Sequence, residues 1–392
     1  MLRRVGDDGD LGARAAELHE RAIALRLGGD WAAAEAACRE AVALFAAADG
    51  PESPDLANAL VEEARLLDLL DRLPEAEEVV ERALGILRPL VGGGGDEDED
   101  EDEDEDGDGD GDGDRDAVAE ELLRLSIQAE LVRAAVRRNR GALGDAEAGC
   151  RRALALAEAR RPADDLLVAD ALNDLGVVHK VAGRYDEAEP LYRRALAIVE
   201  RAGEPHGEAA ATLHHNLGGL AHARGRFAAG EPPARRAVEL REALLGADHP
   251  RTAADRAAWA ALLEGMGHLP EAERAYAAAL GAFEARLGPA CLEVASVLTG
   301  LGSVRQARGA LGDAEETYRR ALAIREARLG PEHPDLAVTL HNLAALRAAR
   351  GDRAEARALA ARALAIFETA LGPAHPFTRT ASETAARLAG AP

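Results

Sequence analysis

Lys180 is the only lysine in this chain of 392 residues, and a phosphate-binding loop of the GxxxxGKS/T type would need glycine before it, where His179 stands. Kinase and ATPase chemistry is therefore not expected. No HExxH, no GxSxG and no GxGxxG between a strand and a helix occurs, so metalloprotease, hydrolase and dinucleotide chemistry have no foothold. Asp110, Asp112 and Asp114 offer calcium-loop spacing with Glu121 at the twelfth position, but Arg115 occupies the turn position that requires glycine. Cys38 and Cys150 share a repeat position with Tyr192, Tyr276 and Tyr318, which marks them as core residues, while Cys291 has no evident activating base. His215 and His222 lie two helical turns apart, too few ligands on one face for a metal. The expectation is no catalytic residue, no cofactor and no metal; an enzyme would have to build its site at Lys180 or Cys291.

Charge and composition narrow the class further. The formal charge is −24, but the run from Asp96 to Asp116 holds sixteen acids against Arg115 and leaves only −9 for the remainder. That run, within an acidic and glycine-rich insertion over 92–116, predicts a disordered, self-repelling tract, with a basic partner as the alternative use. Aromatics are 3% of the chain, so helices must approach closely on small side chains. The acidic balance and scarce stacking rings argue against nucleic acid. Three cysteines without CxxC spacing, no apolar run of signal-peptide length and no membrane-length apolar stretch lead to the expectation of a cytoplasmic protein, or a nuclear one where the cell has a nucleus, and of no membrane partner.

The elements come from a repeat. Ala41, Ala83, Ala153, Ala195, Ala237, Ala279, Ala321 and Ala363 each precede leucine or valine, and six of the seven steps are 42 residues; the exception is 70 and brackets the acidic run. Seven residues earlier stands Ala34, Ala76, Ala146, Ala188, Gly230, Ala272, Ala314 or Ala356, and nineteen earlier Ala22, Ala64, Ala134, Gly176, Gly218, Ala260, Gly302 or Ala344. Small residues at three fixed phases predict helix contacts too close for larger side chains. Twelve before each ladder alanine is a glycine, with Asp71 the one departure, which predicts the turn of a helical hairpin. Leu-Gly closes the second helix at Gly246, Gly288, Gly330 and Gly372, and Pro54, Pro250, Pro334 and Pro376 open first helices.

Leu-Gly or Leu-Ala in the first helix, the turn glycine, and the alanine, tyrosine, alanine spacing of the second helix resemble the tetratricopeptide repeat. The 42-residue period, the YRRALAI stretches at Tyr192 and Tyr318 and the Leu-Gly-x-x-His-Pro links resemble its kinesin light chain variety. The expected fold is all-α: about eight helix-turn-helix repeats in a right-handed superhelical solenoid, over 11–91 and 117–376, with a capping helix and tail over 377–392. Arg21, Glu63 and Arg133 depart from the leucine held by Leu175, Leu217, Leu301 and Leu343, which leaves the packing of the first three repeats open.

The resemblance implies that the first helices line a concave groove that holds a peptide. Carried over by register, the candidate residues are Asn173, Asp174 and Lys180; Thr212, His215, Asn216 and His222; Glu264; Ser296, Thr299, Ser303 and Gln306; and His341 and Asn342. Asparagine presents a donor and an acceptor on one short arm, which suits backbone capture; Asn216 and Asn342 equally suit helix ends or neighbouring repeats. No permanent cation stands at the places where related arrays clamp a terminal carboxylate. The leading expectation is a non-catalytic scaffold or adaptor with a protein or peptide partner. The alternative is an acidic-tract chaperone for a basic protein, since histone-binding members of this repeat class carry an acidic interruption.

Overall fold

The computed structural model describes residues 8–92, 111–160, 166–203, 207–373 and 375–390, all of the regular structure being helical. Two compact units emerge, Met1–Ala202 and Gly203–Pro392. In the first, the helical hairpins are α1 (Asp8–Gly28) with α2 (Trp31–Ala48), α3 (Pro54–Leu69) with α4 (Leu73–Gly92), α5 (Gly111–Asn139) with α6 (Leu143–Arg160), and α7 (Leu166–Val181) with α8 (Tyr185–Ala202). In the second they are α9 (Gly207–Ala223) with α10 (Phe227–Leu245), α11 (Pro250–Gly265) with α12 (Leu269–Leu287), α13 (Leu292–Ala307) with α14 (Leu311–Leu329), and α15 (Pro334–Ala349) with α16 (Arg353–Leu371). A final helix, α17 (Pro376–Gly390), packs on α16. Of the acidic insertion, 93–110 lie outside the described residues, and α5 takes in 111–116.

The three small-residue phases are where the hairpins close. All eight ladder alanines are fully buried, and the alanines and glycines at the other two phases are buried with them. A Cβ added at Gly302 would come within 2.7 Å of the Tyr318 ring, and one at Gly218 within 3.0 Å of the Ala234 Cβ. The first helix of a hairpin thus lies against its second with no room for another carbon. The turns follow the same rule. Each turn glycine is left-handed, from Gly225 at φ 66° to Gly29 and Gly351 at 86°, and Asp71 at φ 60° is the one non-glycine residue in that region among those described.

Several of the helix starts carry a side-chain cap. Ser53 accepts a hydrogen bond from the Leu56 N–H at 3.1 Å ahead of Pro54. In the later linkers a histidine takes that role: Nδ1 of His249, His333 and His375 accepts from the N–H of Arg251, Asp335 and Phe377, each at 3.2 Å. Ring nitrogen replaces hydroxyl as the acceptor that the first turn of a helix lacks.

Charge at the leucine position is resolved by pairing. Arg133 and Glu63 are buried there, 5% and 9% exposed. Arg133 donates to Glu81 at 3.0 Å and also to Glu130, while Glu63 lies 3.5 Å from Arg39. Arg21 faces solvent.

Within each unit, successive first helices touch: α1, α3, α5 and α7 in one, and α9, α11, α13 and α15 in the other. Successive second helices do not touch to that extent among the described residues. This places the first helices on the inside of the curve within each unit.

Two substitutions with opposite signs test the packing. Gly302→Ala is expected to lower stability by about 1–3 kcal/mol, because buried Tyr318 has nowhere to go. Gly281→Ala, in the middle of α12 with nothing within 4 Å of the added carbon, is expected to raise it by about 0.5–1 kcal/mol through the lost entropy of a helical glycine. Urea denaturation of both variants measures the contrast.

Candidate functional site

The candidate residues divide between the two units. In the first, Asn173, Asp174 and Lys180 are half-buried on α7. Asn173 donates to Asp174 at 3.1 Å. Burial holds the Asp174 carboxyl above its ordinary range, against the pull of Arg138, the Asn173 hydrogen bond and Arg65. Burial likewise pushes the Lys180 ammonium below its usual range, and the like charge of Arg138 adds to the effect. Arg138 stands one period before Lys180, at the same phase on α5. Sequence reasoning passed over it, although the 42-residue spacing pairs the two cations.

In the second unit the candidates form two groups. Glu264 on α11 is the centre of one. Its carboxylate accepts from the Ser303 hydroxyl at 2.5 Å and from the Tyr276 hydroxyl at 3.3 Å. Burial raises its pKa, and Ser303, Tyr276 and His222 oppose the shift. His222 in turn packs edge-on against Phe227, ring centres 5.5 Å apart. One turn along α13, Gln306 accepts from the Tyr318 hydroxyl at 3.3 Å. Thus His222, Glu264 and Gln306, each a period apart, make a polar row in which tyrosines from the second helices complete the hydrogen bonds.

The other group surrounds two buried arginines, Arg241 on α10 and Arg325 on α14, 5% and 7% exposed. Arg241 reaches back to α9 and forward to α11. It donates to Glu208 at 2.6 Å, to Asp255 through Nε at 2.8 Å, and to Thr212 at 3.3 Å. Nδ1 of His215 is 2.8 Å from the other Asp255 oxygen, and Arg251 also reaches Glu208. Arg325 makes the same reach two repeats later with different partners: Thr299 at 2.7 Å, Ser296 at 3.4 Å, and Thr339. Neither arginine was among the sequence candidates. The available signal was a cation at the phase held elsewhere by Phe45, Leu87, Val199, Phe283 and Phe367.

Asn216 is buried, 8% exposed, and engaged within the protein, whereas His341 and Asn342 on α15 are half-buried. Burial and the nearby Arg387 of α17 hold the His341 imidazole below its ordinary range. The cysteines are thiols rather than nucleophilic thiolates: burial pushes Cys38 and Cys291 up and Cys150 to about 12. Among the described residues no group of three His, Cys, Asp or Glu side chains is placed to hold a metal ion, and no helix is long and apolar enough to cross a membrane.

Buried small residues at three phases, left-handed turns and a 42-residue hairpin period are features shared with a known repeat. The family model for the tetratricopeptide repeat matches residues 14–88, 125–201, 167–242, 208–285 and 293–369. The chain belongs to the tetratricopeptide repeat family. Members of that family are generally protein-interaction scaffolds.

Solved structures similar to this tetratricopeptide repeat protein include a Rap protein complexed with Competence and Sporulation Factor. It is 17% identical, with a TM-score of 0.54, over 96% of this chain and 99% of the other. The apo form of RapI is 12% identical, with a TM-score of 0.53, over 80% and 97%. BtubC (BKLC) from P. vanneervenii is 24% identical over 60% and 92%, with a TM-score of 0.48. At these identities the likeness shows the fold alone. No curated protein matches the chain.

Glu264 gives the polar row a pH signature. Folding raises its pKa above the ordinary 4.5, so the folded state holds the proton more tightly than the unfolded chain does. Stability from this group is full below pH 4.5 and declines as pH rises through the folded value. Glu264→Gln is therefore expected to match the parent near pH 4 and to exceed it in stability at pH 7. Equilibrium denaturation at the two pH values checks the difference.

Proposed function

We propose that this tetratricopeptide repeat protein is a non-catalytic scaffold or adaptor that holds a peptide segment of a partner protein against the first helices of its repeats. The observation that carries the reading is the set of half-buried polar side chains on the successive, touching helices α13 and α15 of the second unit: Thr299, Ser303, Gln306, His341 and Asn342. Half-burial on a rigid helix fixes a donor or acceptor while leaving part of it open, which is what capture of a peptide backbone requires. The family's general role as an interaction scaffold supports it. Chemistry at Cys291 is disfavoured, because burial and the neighbouring Glu293 make its thiol hold the proton more tightly than a free thiol does.

Display of random peptides on phage tests the reading. The full chain is expected to enrich a peptide family, and Gln306→Ala with Asn342→Ala to weaken its binding about tenfold. Binding that ignores both substitutions but is lost on deletion of 96–110 would sink the groove reading in favour of the acidic tract as the contact for a basic protein.

A further inference from the structure

Arg241 and Arg325 occupy the same position of the repeat, two periods apart, and both are buried beneath the junction of two first helices. Their surroundings differ in one respect. Arg241 has acids of its own: Asp255 on α11 fills its Nε edge at 2.8 Å and Glu208 takes Nη1 at 2.6 Å. The residues at those two phases beneath Arg325 are Thr339 and Leu292. Its hydrogen bonds all go to hydroxyls, from Nη1 to Thr299 and Thr339 and from Nη2 to Ser296.

A guanidinium carries five N–H donors. The three bonds just described leave the Nε–H and one Nη2–H of Arg325 without an acceptor among the described residues. Those two donors lie side by side, the fork that a carboxylate fits in bidentate fashion. Among the described residues the acid that acts on the Arg325 charge is Asp335, which is exposed and makes no hydrogen bond to it. A buried cation held by neutral hydroxyls alone is costly, and a negative charge at the fork would relieve it. Exposed Ser296 and half-buried Thr299 of α13 accept from its Nη2 and Nη1, and Thr299 is itself a candidate groove residue.

We infer that Arg325, with Ser296 and Thr299 beside it on α13, is a specificity pocket for an acidic side chain of the bound peptide, whose carboxylate occupies the Nε and Nη2 edge; in Arg241 the Nε–H already goes to Asp255 and Nη2 to Thr212. The inference rests on the peptide-binding reading above and names one feature of the peptide. At Arg241 an intramolecular aspartate takes the Nε–H; beneath Arg325 the residue at that phase is Thr339, which takes an Nη1–H instead, so an aspartate or glutamate from the partner supplies the carboxylate in trans.

The test uses the full chain and random short peptides with amidated C-termini, with free-acid versions as a second arm. The wild-type chain is expected to enrich amidated peptides with Asp or Glu at one fixed place, and exchange of that residue for Asn or Gln to weaken binding about tenfold. Thr339→Asp installs the internal carboxylate and is expected to abolish the preference while neutral peptides still bind. Arg325→Phe, the residue found at this phase in Phe283 and Phe367, is expected to do the same, so either folded variant decides the matter; circular dichroism identifies which are folded. Equal binding of Asp and Asn peptides, a preference that survives in the variants, or a preference confined to free C-termini would each overturn the pocket. Enrichment of neutral peptides only would leave the scaffold reading intact and remove this inference, whereas no enrichment of any peptide would remove both.

Discussion

Close approach of helix on helix is the constraint from which the structure follows. A chain with few aromatic residues cannot fill wide gaps between helices, so it removes the gaps. Alanine or glycine at three phases of every hairpin lets backbones and the few large rings come into contact, and dispersion between densely packed atoms replaces the large apolar area that bulky cores bury. Tyr318 against Gly302 and Tyr192 against Gly176 are such cases, rings resting where a Cβ would be. The same economy explains why these phases admit so little variation in residue size.

Tight packing leaves no room for water, and so any charge inside must be answered by protein. The first unit answers buried Arg133 with Glu130 and Glu81, and buried Glu63 with Arg39. The second answers Arg241 with Asp255 and Glu208. In each case the arginine binds elements from more than one hairpin, so it acts as a directional fastener where an aliphatic side chain would only fill space. Arg325 shares the position and hydrogen-bonds to hydroxyls alone. That contrast between two copies of one position is what separates a structural arginine from a receptive one.

Much of this was legible in the residues. The ladder alanines and their companions at two other phases are buried as their spacing predicts, and the turn glycines are left-handed. Asp71, the single departure from glycine, adopts the same conformation at φ 60°, which shows that the turn geometry and not the residue type is fixed. Other features were not legible for physical reasons. A histidine before proline does not announce that Nδ1 will accept an N–H two residues on, because the hydrogen bond depends on ring orientation. The division at Ala202 and Gly203 leaves the 42-residue period undisturbed, so spacing carries no mark of it. Glu264, Ser303 and Gln306 lie on the neighbouring first helices α11 and α13, but periodicity looks for apolar residues in the core and was blind to two arginines standing there.

Lys180 has a consequence outside recognition. It is the only internal primary amine in the chain, half-buried at the end of α7 and less basic than a free lysine. Acetylation, attachment of a modifier protein or amine-directed cross-linking therefore has a single side-chain address on this molecule, on the fourth repeat and two helical turns beyond Asn173. A surface that carries its positive charge almost wholly as arginine keeps its charge pattern through every modification that acts on lysine, save at that one point.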